Sequence, residues 1–240
     1  MTRLADQLDA LDTAADDVDD ARDDDASRPP RRLTVRVWVA LLALVGVAAA
    51  AALVAVLVVR PTTPGDDSAE AGFARDMSQH HAQAVEMSLI VRDRTDDAPT
   101  RLLAYDIATT QQQQIGQMYA WLVTWGDSQA RTGPPMAWMG HDMADMSASA
   151  DGAVMPGMAT DTELATLKTL SGRDAEVLFL QLMIAHHRGG VDMAQAVLAR
   201  TDDQQVVTLA NSMVTSQQSE IDLMESMLAE RGATDAVPSN

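Results

Sequence analysis

The chain has 240 residues, 47% hydrophobic but only 3% aromatic, so any core it buries must be aliphatic and rich in its 15 methionines. It has no cysteine, which excludes disulfide scaffolds, thiolate metal sites and cysteine nucleophiles. The net charge of −18 argues against nucleic acid as a partner, since phosphate recognition needs a basic face; an acidic surface attracts cations or simply maintains solubility.

Residues 1–32 are polar and acidic, with the run "AADDVDDARDDDASRPPRR", and read as a disordered tail. Residues 33–60 follow as a transmembrane helix, its uncharged stretch running from Val37 to Val59 and exceeding the about 20 residues a bilayer requires. Arg28, Arg31, Arg32 and Arg36 precede this stretch and only Arg60 follows closely, which places the tail in the cytoplasm and the remainder outside, on a single-pass cell-membrane protein. A cleaved signal peptide is the rival reading; the long tail and long apolar stretch favour an uncleaved anchor. Residues 61–70 form a polar linker, and residues 233–240 a frayed end.

Between them lies a duplicated domain, 71–232. Repeat 1 (71–126) and repeat 2 (172–232) match without a gap at a constant offset of 106 residues. Phe73 matches Phe179, Met77 matches Met183, and His80–His81 match His186–His187. Met87 matches Met193, "RTDD" at 94–97 recurs at 200–203, and Leu103, Gln111, Ile115, Met118, Leu122 and Gly126 all recur. Such register is the mark of an internal repeat. Each copy reads as a helical hairpin turning at "RTDD", with Pro99 early in a second helix and Gly126 and Gly232 as C-terminal caps. Two hairpins predict an all-α four-helix bundle. The connection, 127–171, is rich in Gly, Pro, Ser and Met, with a short helix expected over Thr162–Leu170.

At about 100° per residue, Phe73, Met77, His80, Ala84, Met87 and Val91 share one inward sector, while Glu86 and its counterpart Asp192 point outward. On the second helices, Leu103 to Leu122 and Leu209 to Leu228 supply the inward stripes, including Gln114 and its counterpart Glu220.

Four of the five histidines stand in the two matched pairs. Imidazole and thioether together suit copper, as Cu(I) or Cu(II), with thioether favouring Cu(I). The candidate ligands are His80, His81, His186 and His187 with Met77, Met87, Met183 and Met193. Adjacent histidines diverge by about 100°, so the second of each pair serves another ion or bridges to a neighbouring helix. The competing reading is that buried histidines are hydrogen-bonded core residues and a methionine stripe is core packing. The connection adds Met136, Met139, His141, Met143, Met146, Met155 and Met158, either a thioether wrap for Cu(I) or Ag(I) or an apolar lid. Gln111–Gln112 and Gln217–Gln218 are either partners of the imidazoles or boundary residues.

The stretches "FLQLMIAHHRGGVDMA" (179–194) and "FARDMSQHHAQAVEMS" (73–88), with "MPGMAT" (155–160), resemble the domain of unknown function 305 (DUF305) family over residues 70–231. The resemblance implies a ferritin-like helical bundle in an exported protein, with a link to copper binding or tolerance in some members. It puts the family's histidine pair on His186 and His187 and its methionine on Met193. The first copy departs from the pattern with Ser78 and Gln79 where the second has Ile184 and Ala185.

Three function classes follow. The first is a membrane-anchored extracytoplasmic copper-binding protein that sequesters the ion, with binding weakening below about pH 6.5 as histidines protonate. The second is an enzyme; the chain lacks Glu-x-x-His, which speaks against di-iron oxidase chemistry, while a copper-dependent oxidase stays open. The third is a metal-free ectodomain for protein interaction or assembly.

Overall fold

The computed structural model describes residues 33–58, 63–131, 133–140 and 155–235. The acidic tail, the junction at 59–62, and His141, Met143 and Met146 lie outside the described residues. All regular structure among the described residues is helical, and the chain divides into two units, 1–62 and 63–240.

The first unit contains α1, Leu33–Val58. Its 26 residues span about 39 Å at ~1.5 Å per residue, more than the ~30 Å hydrocarbon core of a bilayer. The stretch Thr34–Val56 is apolar enough to cross a membrane, and its large side chains, such as Trp38, Leu42 and Val47, are exposed.

The second unit contains α2 (Ala69–Arg92), α3 (Ala98–Trp125), α4 (Asp161–Thr169), α5 (Gly172–Leu198) and α6 (Gln204–Glu230), with a 3₁₀ turn at Ala137–Met139. Local chemistry explains the boundaries. Helix α2 begins inside the stretch read as linker, because the Ser68 side chain accepts from Ala71 N at 3.1 Å and satisfies an orphan helix N–H. The repeated "RTDD" turn builds the same device twice. Asp97 caps α3 through Thr100 N (2.9 Å) while Thr95 Oγ1 accepts from Asp97 N (2.9 Å). Asp203 caps α6 through Gln205 N (2.9 Å), and Thr201 Oγ1 accepts from Asp203 N (3.0 Å). Pro99 sits in the first turn of α3, and Gly126 closes it at φ 84°, a left-handed conformation natural to glycine. Thr160 and Glu163 form a capping box that starts α4.

Helices α2 and α3 pack as one hairpin, α5 and α6 as another, and α2 packs on α5. The α2–α5 pair runs antiparallel: Gly172 N, at the start of α5, donates to Arg94 O, just past the end of α2, at 2.6 Å. At the same end Arg231 ties α6 to its neighbours, with Glu176 on α5 at 2.9 Å and Asp97 at 2.9 Å.

The core has two apolar halves. One gathers Ala84, Met87 and Val91 of α2 with Leu178–Ile184 of α5 and Ile221–Leu228 of α6. The other gathers Ala71–Met77 of α2, Met118–Leu122 of α3, Met193–Val197 of α5 and Val206–Met213 of α6. Burying each large apolar side chain contributes about 1.5–3 kcal/mol. Between the halves lies a polar layer.

Candidate metal centre

The layer is formed by repeat-related residues: His80 and His186, His81 and His187, Gln111 and Gln217, Gln114 and Glu220. All are buried except Glu220, whose side chain is 23% exposed. Antiparallel packing of α2 on α5 brings the first histidines of the two copies into contact. The His80 and His186 rings lie tilted by 32° with centroids 3.7 Å apart.

Each imidazole is fixed through Nε2. His80 Nε2 meets Pro156 O at 3.0 Å, and His186 Nε2 meets His80 O at 3.0 Å. His81 Nε2 meets Gln114 Oε1 at 2.7 Å, and His187 Nε2 meets Glu220 Oε2 at 2.6 Å. The second histidine of each pair therefore bridges to the other helix of its own hairpin. Its partner is Gln114 or Glu220, in place of the Gln111–Gln112 and Gln217–Gln218 pairs expected from the repeat; Gln111 Oε1 and Gln217 Oε1 are buried without a hydrogen-bond partner.

The contacted oxygen atoms accept and do not donate, so each ring donates from Nε2; at His80, His81 and His186, which burial holds neutral, Nδ1 keeps a lone pair. The Nδ1 atoms of His80, His81 and His187 are buried with no hydrogen-bond partner. Burial pushes His80 down to about 4, with the bond to Pro156 O opposing and His187 adding to the shift. Burial and then the neighbouring His80 push His81 down to about 3. Burial, followed by the other imidazoles, holds His186 well below the usual histidine range. These three rings are neutral at pH 7 because a charge in the dry layer is poorly solvated.

The methionines divide differently from the expectation of one ligand set per helix. Met77, Met87, Met183 and Met193 are fully buried. Met77 shares an apolar half with Met193, and Met87 shares the other with Met183. Antiparallel packing thus splits the set expected on each helix and leaves thioether-containing clusters on both sides of the histidine layer. Met136, Met139 and Met155 are buried with Met77 and Met193, and Met158 packs against them. These loop methionines share the apolar cluster of Met77 and Met193.

The segment 155–159 crosses the layer. Gln83 grips it with both halves of its amide, Nε2 to Ala159 O at 2.9 Å and Oε1 from Ala159 N at 2.8 Å. Opposite, Gly189 lets it approach α5, since a Cβ there would lie 2.1 Å from Pro156 O. Gly157, at φ 71°, passes the α5 backbone as closely, its Cβ position 2.1 Å from Ala185 O. The "HHAQA" and "HHRGG" sequences differ because one face holds the loop and the other yields to it.

Several residues here escaped sequence reading. Asp76 is buried at 2% exposure and accepts from Met136 N (2.8 Å) and Trp138 Nε1 (3.0 Å), with Arg131 Nε at 2.9 Å. Burial raises its pKa against these stabilising contacts. Trp138 meets Phe73 edge-on at 5.9 Å, over Gly72. The adjacency of Asp76 to the Met-x-x-His-His motif was the available signal, but a charge one residue from an inward methionine reads as solvated.

Among the described residues, no three His, Asp or Glu side chains converge as a ligand group. What the layer offers is imidazoles oriented by their Nε2 contacts, with thioethers in the apolar clusters on either side, donor types whose chemistry suits a soft monovalent ion.

A duplicated, all-helical hairpin protein with a buried histidine layer is the class these features define. The family model of DUF305, "Domain of unknown function (DUF305)", matches residues 70–228, and the chain belongs to that family. It is similar to a DUF305 protein of Streptomyces coelicolor described as a candidate secreted protein, at 53% identity and TM-score 0.66, covering 72% of this chain and 100% of that one. A DUF305 fragment from Deinococcus radiodurans is 35% identical, TM-score 0.55, covering 68% of this chain and 96% of that one. CopM in its Cu(I)-bound form, 20% identical with TM-score 0.52 over 68% of this chain and 96% of that one, shares the fold. No curated protein sequence matches the chain.

Proposed function

We propose that this is a membrane-anchored, extracytoplasmic protein that binds and sequesters copper through its histidine layer, with its four long outer helices forming a ferritin-like bundle. The observation that carries the reading is the set of buried Nδ1 atoms on His80, His81 and His187, each oriented by an Nε2 contact and each without a partner. An unsatisfied buried polar atom costs about 1–3 kcal/mol, and repeat-related retention at His81 and His187 argues for a use. Helix α1 and the arginines ahead of it support the anchor and its orientation, with the N-terminus cytoplasmic.

Binding joins Nδ1 to the ion while Nε2–H stays on its oxygen partner, so the protein supplies donors already oriented, and His80 and His81 have no proton to release at pH 7. Thioethers in the flanking clusters suit Cu(I). Proton competition at His80 sets in near its value of about 4, below the pH 6.5 expected for an exposed histidine. The reading is storage, and the lack of a Glu-x-x-His pair speaks against di-iron turnover. CopM was solved with Cu(I) and with Cu(II), but that likeness extends to the fold, and the copper reading rests on this chain's own side chains.

The second reading, a metal-free ectodomain for protein interaction or assembly, is favoured by the lack of a three-ligand group among the described residues. The test is Cu(I) titration of the full chain in detergent under a competing chelator, beside a His80/His81/His186/His187→Gln variant of unchanged helicity. Tight binding lost in the variant supports the layer. Binding that survives moves the site to the methionines of 136–158. No binding in either protein sinks the copper reading.

A further inference from the structure

The two copies make the same hydrogen bond with different charge. His81 Nε2 faces an amide oxygen at 2.7 Å and His187 Nε2 a carboxylate oxygen at 2.6 Å, from residues 114 and 220, related by the 106-residue offset. Distance and donor atom match, and the accepting group, amide or carboxyl, differs.

Solvent explains where the charge went. Gln114 is 5% exposed, and a carboxylate there would be buried at high cost. Glu220 keeps 23% of its side chain exposed, so its carboxyl group stays in reach of solvent. Among the described residues it is the one carboxylate hydrogen-bonded to a layer histidine. A carboxylate accepts a stronger bond than an amide and raises the electron density of the ring, hence the basicity of Nδ1. A cation entering the buried layer also needs a counter-charge, which a carboxylate can supply and an amide cannot.

We propose that Gln114 and Glu220 are positioning residues that hold His81 and His187 with Nδ1 as the donor atom, and that the carboxylate makes His187 the first donor to capture a copper ion. The proposal rests on the copper reading above. It assigns unequal roles to the copies: the second captures, and the first, neutral throughout, completes the layer.

The experiment uses the full chain in detergent micelles with ¹⁵N-labelled histidine, whose five imidazoles are few enough to resolve. Metal-free spectra read the tautomer of each ring, and Cu(I) titration against a chelator reads affinity. Glu220→Gln should keep the His187 tautomer and weaken the tightest Cu(I) step by about 10-fold; Glu220→Leu should release the tautomer and weaken that step by about 100-fold, the span expected for partners of metal-binding histidines. Gln114→Leu should release the His81 tautomer and leave the tightest step within about 3-fold of wild type, well short of the change at Glu220. A merely structural role would lower the unfolding midpoint while leaving tautomer and affinity alone. Wild-type binding matched by both Glu220 variants overturns this inference and leaves the copper reading standing. A wild type that binds no Cu(I) overturns both.

Discussion

On α2, Gln83 holds the 155–159 segment through both halves of its amide; at the equivalent place on α5, Gly189 clears a path for Pro156. Likewise Arg231 ends the second hairpin in an ion-paired network with Glu176 and Asp97, where the first hairpin ends in Trp125 stacked on Trp121 at 6.0 Å. The apolar ladder and the histidines are shared, and the difference between Gln83 and Gly189 falls where a single connecting segment meets two related surfaces. A duplicated fold can keep its core symmetric, but one loop between two copies cannot be symmetric, so each copy adapts on its own side.

What the copies share should respond most strongly, and pH is the probe. Unfolded histidines protonate near pH 6.5, whereas folded His80 and His81 resist down to about 4 and about 3. As pH falls through that window, the unfolded chain takes up protons the folded chain does not, so metal-free stability drops. The loss is about 1.4 kcal/mol per pH unit for each depressed histidine. Denaturant midpoints at pH 7, 5.5 and 4.5 should fall in step; a flat profile would show that the layer is open to water.

Next comes the asymmetric end. Arg231→Met should cost about 3 kcal/mol by thermal unfolding, because it strands the buried Glu176 carboxylate. Gly189→Ala should cost about 2 kcal/mol, since the new Cβ meets a backbone carbonyl that must move, and should also disturb the His80 ring resonance through Pro156. Its partner substitution, Gln83→Ala, removes two hydrogen bonds without a clash and should cost about 1 kcal/mol. Equal costs at 83 and 189 would erase the distinction between a gripping and a yielding face. The smallest effect belongs to Glu86→Ala, which removes an exposed pair with Lys168 and should change stability by less than about 0.5 kcal/mol.

The repeat made much of this legible. The inward sector Phe73, Met77, His80, Ala84, Met87 and Val91 could be placed because helical periodicity is a property of consecutive residues, and all six are fully buried. The "RTDD" turns and Gly126 could be placed because caps are local chemistry. The grouping of methionines could not, because Met77 joins Met193 only once α2 lies antiparallel on α5. Nor could Asp76, whose partners Met136, Trp138 and Arg131 lie more than fifty residues away in the chain.

Composition, periodicity and register, each acting within a short span, were therefore enough to specify the parts of this protein: an apolar N-terminal helix, two copies of one helical hairpin, and four histidines facing inward. What those histidines do to one another depends on packing across the repeat. Contact of His80 with His186, fixation of every Nε2, and the choice of Gln114 and Glu220 as partners appear only when the helices come together. Packing sets distance and burial, which decide what oxygen each imidazole meets and hold His80, His81 and His186 neutral.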